Sequence, residues 1–179
     1  MPPLTRRAIL AMPLALAACA GTPSAPTKDR PPVTLVSAFA GQKAGQGHFR
    51  VWLTGAERRF DAALAGRVSG APGQRRLTVV EDFVHDDGQK DRLTSVFDET
   101  GPGQWSERRD DTVGLARVVE EGGLIRLTYT ADFRSPAGVT RLGFADVIFG
   151  KADGRVINDA VVSRAGIPVG AVRFGLTAA

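Results

Sequence analysis

Residues 125–133 read IRLTYTADF, and along this stretch apolar and polar side chains alternate at every position. Because successive side chains of an extended chain point to opposite sides, one face of such a segment is apolar and the other is polar. The apolar face consists of Ile125, Leu127, Tyr129, Ala131 and Phe133. This period of two predicts a β-strand with one face in a hydrophobic core and one face in water.

The same alternation recurs elsewhere in the chain. It covers residues 48–54, 59–68 and 170–176, whereas no long stretch has the spacing of an amphipathic helix. Turn-forming residues separate such segments at 54–56, 71–73, 86–88, 101–103, 121–123, 135–138, 152–154 and 165–168. Because parallel pairing needs a crossover of about a dozen residues or more, this spacing predicts an all-β, antiparallel, up-and-down meander of about nine or ten strands.

A single sheet of this length would leave two edges and one apolar face uncovered. We therefore expect it to curl into a barrel or half-barrel, just wide enough for packed side chains or one small ligand. Residues 33–39 are expected to form a short helix or strand that plugs one mouth. The glycines between Gly41 and Gly47 follow no strand and precede no helix, which predicts a loop and not a phosphate-binding turn.

The N-terminus has the features of a bacterial export signal. Arg6 and Arg7 precede an apolar stretch at residues 8–18, and the LAAC sequence at residues 16–19 resembles the lipobox of a bacterial lipoprotein. The apolar stretch is shorter than the ~20 residues that a transmembrane helix requires. Residues 1–18 are thus predicted to be a lipoprotein signal peptide. The paired arginines also resemble a twin-arginine motif, so the general and the twin-arginine export routes both stay open.

Cys19, the only cysteine, is the predicted lipidation site. Each buried methylene contributes ~0.8 kcal/mol and two or more chains give stable attachment, so we expect a periplasmic protein anchored to an envelope membrane. The resemblance to lipoproteins favours the outer membrane, because Ala20 and not an aspartate follows the cysteine. Residues 19–32, rich in Gly, Ser, Thr and Pro, are predicted to be a tether. Residues 33–179 then form a single β domain, expected to be a monomer.

Composition excludes several classes of function. Lys and Arg number 23 against 19 Asp and Glu, and loss of the signal peptide would remove two of the basic residues. Without a cluster of basic and aromatic residues, nucleic-acid binding is not predicted, and the arginine pairs at 58–59, 75–76 and 108–109 are expected to be solvated. The chain has only two histidines, which are too few for a typical zinc site, and its one cysteine is predicted to be acylated and so has no free thiol. Neither a metal nor a cofactor is therefore predicted.

Five short blocks follow one another along the domain. They are EDFVHDDG at 81–88, DTVGLA at 111–116, FAD at 144–146, VINDA at 156–160 and GIPVG at 166–170. Together, over about residues 39–176, they resemble the successive blocks of the DUF3833 family of bacterial envelope lipoproteins. The resemblance implies a lipocalin-like β domain on a lipid anchor, with no established activity. Genes of the family tend to lie near those of fatty-acid-modifying enzymes, which hints at a connection with lipids.

The chain departs from the family pattern in two places. Val147, Ile148 and Phe149 follow Asp146 where the family commonly has Trp-Met-Tyr, and His85 stands where tyrosine is usual. A role that depends on those aromatic side chains does not carry over to this chain.

The acidic block at residues 81–88 has two interpretations. On a strand, Glu81, Phe83 and His85 share one face, and Asp82, Val84 and Asp86 share the other. A base and a carboxylate on one face could perform acid–base catalysis, for which His85 and Asp146 are the candidates. The alternative is a strand end whose acids cap an Asp-Asp-Gly turn and pair with arginines. No Gly-x-Ser-x-Gly elbow is present to supply a serine nucleophile.

Asp146 and Asn158 are polar residues in apolar surroundings on predicted neighbouring strands. They are either contacts for a ligand or a hydrogen-bonded pair inside the barrel. The interior is expected to be lined by Phe49, Val51, Phe60, Leu64, Leu127, Tyr129, Phe144 and Phe174. Of these, Phe49, Phe60, Tyr129, Phe144 and Phe174 are the candidate ligand-binding residues, together with Asp146 and Asn158.

These observations favour a non-catalytic module that binds an acyl chain or another small amphiphile near the envelope membrane. Two alternatives stay open: an envelope enzyme that acts on lipids or modified fatty acids, and a structural or protein-interaction module with a packed barrel. A void of ~300 Å³ or more that opens to solvent would support binding, and a packed interior would exclude it.

Overall fold

Ten antiparallel strands follow one another around a closed barrel in the computed structural model, which describes residues 23–25, 30–135 and 138–179. The elements are α1 Leu35–Phe39, β1 Gly41–Val51, β2 Glu57–Ser69, β3 Arg76–His85, β4 Lys90–Gly101, β5 Gln104–Arg109, β6 Ala116–Glu121, β7 Leu124–Ser135, β8 Gly138–Gly150, β9 Val156–Arg164 and β10 Ile167–Ala178. Each strand pairs with its neighbours in sequence, and β1 pairs with β10 to close the ring. The predicted antiparallel meander is confirmed, as a full barrel and not as a half-barrel.

The predicted signal peptide and Cys19 lie outside the described residues. Where the structure describes the predicted tether, the chain contacts the barrel: Ala25 packs against an apolar cluster, and Arg30 Nη2 donates to the Gly122 carbonyl oxygen at 3.1 Å. No helix in the described part of the chain is long and apolar enough to span a bilayer.

The strand that contains residues 125–133 shows why the alternation produces a barrel wall. β7 pairs with β8 from Ile125 opposite Ile148 to Ser135 opposite Gly138. Ile125 is fully buried while Arg126 is exposed, so successive side chains divide between the interior and the solvent. The β6–β7 hairpin turns at two glycines with φ of 58° and 73°, a left-handed conformation that glycine adopts without steric cost.

Residues 41–47, expected to be a loop, instead form the first part of β1, so this prediction is wrong. Gly45 and Gly47 leave room for side chains of neighbouring strands: a Cβ at Gly47 would lie 2.8 Å from Phe60 Cε2, and one at Gly45 would lie 2.8 Å from Phe174 Cε2. β1 therefore has few apolar side chains of its own on its inner face. Backbone pairing with β2 and β10 holds it in the sheet.

Helix α1 closes one end of the barrel, as the plug predicted there. Thr34 and Ser37 form a capping box, in which the Ser37 N–H donates to Thr34 Oγ1 (3.1 Å) and the Thr34 N–H donates to Ser37 Oγ (2.9 Å). Leu35 and Phe39 are buried, and the Leu35 N–H donates to Glu120 Oε1 on β6 at 2.7 Å. The helix is thus fixed by its cap, its apolar side chains and a bond to the barrel wall.

The interior next to α1 is packed with apolar side chains from the helix and most strands. Phe39 of the helix stacks on Phe97 with ring centroids 6.3 Å apart. A second apolar cluster lies on the outer face of β7, β8 and β9 and consists of Leu124, Val147, Phe149 and Ile157. The residues that replace the family's Trp-Met-Tyr run thus divide between this cluster and the interior, which Ile148 faces.

Candidate functional site

An outer cavity of about 320 Å³ occupies the half of the barrel away from α1 and opens to solvent. Its lining combines six Phe and Tyr side chains with eight charged ones. The Phe and Tyr residues are Phe49, Phe60, Phe83, Tyr129, Phe133 and Phe144, and the charged residues are Arg58, Asp91, Arg92, Arg109, Asp110, Asp111, Asp132 and Arg134. The volume lies at the lower end of the range of ~300–1,000 Å³ that is typical of small-molecule sites. The interior is therefore not fully packed.

An inner chamber of about 110 Å³ lies between the outer cavity and α1, with Phe39 in its lining. The two spaces adjoin, because Phe60, Phe83, Arg109, Tyr129, Phe144 and Val172 line both of them. The inner chamber also has polar lining residues, namely Glu81, Ser95, Glu107, Asp146 and Asn158. A molecule that enters from the open end would pass the charged and aromatic side chains of the outer cavity before it reached the buried polar groups of the inner chamber.

Contacts between rings hold the aromatic side chains of the two spaces in place. The ring centroid of Phe60 lies 5.5 Å from that of Phe83, in an edge-to-face arrangement, and 5.3 Å from that of Phe174. Tyr129 stacks on Phe144 at 4.7 Å. Such pairs stabilise each other's orientation beyond simple burial, so the wall is preformed.

Ion pairs surround the open end. Arg58 pairs with Asp87 at 2.9 Å, and His85 Nε2 lies 2.9 Å from Asp91 Oδ2. Asp87 Oδ1 also accepts a hydrogen bond from the Gln89 N–H within the turn at 3.0 Å, and Asp86 Oδ2 accepts one from the Arg59 N–H at 3.1 Å. Together with the Arg58–Asp87 pair, these bonds confirm that acids of the 81–88 block cap the turn and pair with arginines. Glu81 and His85 differ, because they line the inner chamber and the outer cavity respectively.

Two of the arginines that were expected to be solvated face the interior instead. The side chains of Arg58 and Arg109 are each only 16% exposed. Arg109 forms two hydrogen bonds with Asp111, from Nε at 2.6 Å and from Nη2 at 3.0 Å, and its guanidinium lies 4.9 Å from the ring centre of Tyr129. The prediction was wrong because two consecutive arginines on a strand point to opposite faces, and the one that points inward contacts acidic or aromatic side chains.

Burial changes the ionisation of the carboxyl groups in the inner chamber. It raises the pKa of Glu81 to about 7, against the opposing charge of Arg109. It likewise raises the pKa of Asp146 to about 7, against the hydrogen bond that Asn158 donates, and it raises the pKa of Glu107. Near neutral pH, this chamber therefore contains carboxyl groups that readily exchange a proton.

The seven residues predicted to contact a ligand all lie on the lining of one or both spaces. Phe49 lines the outer cavity, Asp146, Asn158 and Phe174 line the inner chamber, and Phe60, Tyr129 and Phe144 line both. Leu127 also lines the inner chamber, whereas Val51 and Leu64 line neither space, and Leu64 is buried in the core. The barrel thus brings the aromatic and polar candidates together around two adjoining spaces, whereas Leu64 is part of the packed core.

The two candidate catalytic residues line different spaces. His85 lines the outer cavity and Asp146 lines the inner chamber.

Sequence reasoning missed Asp91 as the partner of His85. The hairpin register could have revealed it, because Asp91 lies opposite Phe83, on the same face as His85. Glu107 and Arg109 were also missed, although they follow the buried Trp105 by two and four residues and therefore share its face of β5. Within the described residues, no group of acids, histidines or cysteines is arranged to hold a metal ion.

Large apolar side chains are exposed around the open end. The turns and strand ends there include Trp52, Leu53, Val113, Leu115, Val139 and Ile167, each at least 40% exposed. Trp52 and Ile167 lie on neighbouring chain segments, because the Trp52 N–H donates to the Val169 carbonyl oxygen at 2.9 Å. An apolar molecule that approaches the outer cavity therefore meets apolar surface at its entrance.

The closed meander and its partly empty interior define a lipocalin-like β-barrel. The chain belongs to the DUF3833 family: the sequence profile of this family, described as a protein of unknown function, matches residues 13–177. No curated protein matches the chain. Among solved structures, the crystal structure of Rv2717c from M. tuberculosis is similar, with a TM-score of 0.52 and 18% sequence identity over 80% of this chain and 94% of that chain. At this identity the likeness shows the fold alone.

Proposed function

We propose that this protein is an envelope lipoprotein whose barrel binds one lipid or other small amphiphile without catalysing a reaction. Acyl chains on Cys19 would anchor it, as a monomer, on the periplasmic side of the envelope membrane, with the outer membrane favoured. The proposal rests on the outer cavity of about 320 Å³, which opens to solvent and has an aromatic wall. Ligand sites have this form: a concave, mostly apolar space with a few converging polar groups.

The arrangement of the two spaces supports an amphiphile and not a purely apolar ligand. An apolar chain would replace water along Phe49, Phe60 and Phe144, while a polar group would reach the inner chamber with Glu81 and Asp146. Removal of apolar surface from water contributes roughly 25 cal/mol per Å², so the aromatic wall would supply most of the binding free energy. The polar chamber would decide which molecules fit.

Native mass spectrometry of the protein purified from its own envelope tests this proposal. We expect a polypeptide that begins at Cys19 and carries acyl mass, with one non-covalent species of defined mass. Val172 lines both spaces, so Val172→Trp should fill the passage and weaken the affinity for this species about tenfold or more, a loss of ~1.4 kcal/mol or more.

Val84→Trp provides the matched control for that experiment. Val84 is exposed on β3 and points away from the interior that its neighbours Phe83 and His85 line. This variant should retain the bound species. If the wild-type protein repeatedly carries no ligand, a structural or protein-interaction role is favoured instead.

The pair of His85 and Asp91 supports a second candidate function, acid–base catalysis on a lipid-like substrate. His85 Nε2 lies 2.9 Å from Asp91 Oδ2, and His85 Nδ1 is buried without a hydrogen-bond partner. A carboxylate that orients an imidazole in this way is typical of a general base. The described lining of the outer cavity contains no Ser, Thr or Cys, so the imidazole would activate a water molecule.

Hydrolysis of p-nitrophenyl esters of increasing chain length tests this second candidate. If His85 is a general base, His85→Ala should lower the turnover rate roughly 100-fold or more. His48→Ala is the control, because His48 alternates on β1 with residues that face the interior and should leave the rate unchanged. Equal rates for the wild-type protein and the His85→Ala variant would eliminate catalysis by His85.

A further inference from the structure

The inner chamber collects acidic side chains from three strands. Glu81 comes from β3, Glu107 from β5 and Asp146 from β8, with the amide of Asn158 on β9 beside them. Glu81 is 9% exposed and Asp146 is 2% exposed. Buried carboxyl groups normally have hydrogen-bond donors or a cation as partners. The partners of these groups therefore indicate what the chamber is built to receive.

Three oxygen atoms in this chamber have no hydrogen-bond partner within the described structure. Asn158 Nδ2 donates to Asp146 Oδ2 at 2.8 Å, which satisfies only one oxygen of that carboxylate. Asp146 Oδ1, Asn158 Oδ1 and Glu81 Oε2 are buried and unpartnered. All three atoms can accept hydrogen bonds, and their residues share the lining of the same space. When Glu81 and Asp146 are ionised, the chamber thus presents unpartnered hydrogen-bond acceptors.

The one basic side chain in the described lining of this chamber is already engaged. Arg109 makes its two hydrogen bonds with Asp111 and packs over the ring of Tyr129. A ligand with a carboxylate or phosphate group would therefore bring more acceptors and negative charge to an acidic chamber without a free cation. A hydroxyl or amine group would instead donate to the unpartnered oxygens.

We infer that the inner chamber binds the hydrogen-bond-donating, non-anionic polar end of an amphiphile, such as a long-chain alcohol, glyceride or amine, and disfavours fatty acids. This inference rests on the proposed function, because it assigns the chemical class of the ligand for the same cavity. The apolar chain would lie along the aromatic wall towards the open end. Glu81 and Asp146 then determine specificity by accepting hydrogen bonds from the head group.

Competition between three probes with the same C12 chain tests the inference. Dodecanol, dodecylamine and dodecanoate are titrated, below their micelle concentrations at pH 8, against the full-length protein with a bound fluorescent lipid analogue. We expect dodecanol or dodecylamine to bind at least tenfold more tightly than dodecanoate. Glu81→Gln, which introduces a donor, should reduce this preference to about threefold or less. Asp82→Asn makes the same change on the outer face of β3 and should not alter it.

The possible results separate the inference from the proposed function. If dodecanoate binds as tightly as the other two probes and Val172→Trp prevents its binding, the inference is overturned while the proposed function stands. If no probe and no lipid analogue binds, the proposed function fails and the inference fails with it. If both the Glu81→Gln and the Asp146→Asn variants keep the wild-type preference for dodecanol or dodecylamine over dodecanoate, the chamber residues do not cause this preference. That result also contradicts the inference.

Discussion

Replacement of Glu81 by glutamine is expected to raise the free energy of unfolding by about 3 kcal/mol at pH 8. Burial raises the pKa of this carboxyl to about 7, whereas its ordinary value is 4.5. The folded state therefore holds the proton more tightly than the unfolded state, and stability falls as the pH rises from about 4.5 to 7. Glutamine has nearly the same shape but never ionises, so it avoids this loss.

Urea unfolding of both proteins at several pH values measures the effect. Below about pH 4.5 the carboxyl is protonated in both states, so the two proteins should differ little. The difference should increase by ~1.4 kcal/mol per pH unit and level off above pH 7. The charges that face Glu81 are those of Arg109, Glu107 and Asp111, and they are the same in both proteins. A difference that does not vary with pH would show that ionisation of Glu81 is not the cause.

Replacement of Gly66 by alanine is expected to lower the free energy of unfolding by about 3 kcal/mol. A Cβ at this position would lie 2.8 Å from the carbonyl carbon of Phe39 and would overlap the carbonyl oxygen of that residue. Both atoms belong to the backbone at the end of α1, so no side-chain rotation can relieve the overlap. Either β2 or the helix that closes the barrel must shift.

The matched control for this change is Gly101→Ala. Gly101 also lies in a strand, at the end of β4, but a Cβ there would have no atom within 4 Å. Surface substitutions of this kind usually change stability by less than ~0.5 kcal/mol. Urea unfolding measures both variants. Equal stabilities would show that α1 does not depend on the close approach at Gly66.

Much of the cavity wall was predictable because it depends on local alternation. Phe60, Tyr129 and Phe174 each lie on the apolar face of a segment with period two, and such a face points inward in any barrel. The flanking apolar residues of Asp146 and Asn158 indicated a buried site and left two interpretations open, a ligand contact or a hydrogen-bonded pair. The hydrogen bond between them is present. The first part of β1, residues 41–47, was missed because Gly45 and Gly47 give no apolar signal, although bulky side chains of other strands need that space.

The charged part of the site could not be predicted in the same way. A period of two assigns Glu107 and Arg109 to the inner face of β5, but charged residues are usually exposed, and this made a solvated end of the strand the more reasonable interpretation. Their burial depends on partners from other segments, such as Tyr129 and Asp111. These contacts form only when the barrel closes.

The sequence by itself determined the strand pattern, the antiparallel order and the plug, since alternation, turn residues and caps act over a few neighbouring residues. Tertiary structure decided the rest. Pairing of β1 with β10 joins the two ends of the domain, and it encloses a space whose volume depends on how all ten strands fit together. The unpartnered oxygens of Glu81 and Asp146 are likewise a property of that enclosed space, because whether a polar atom finds a donor depends on side chains distant in the sequence.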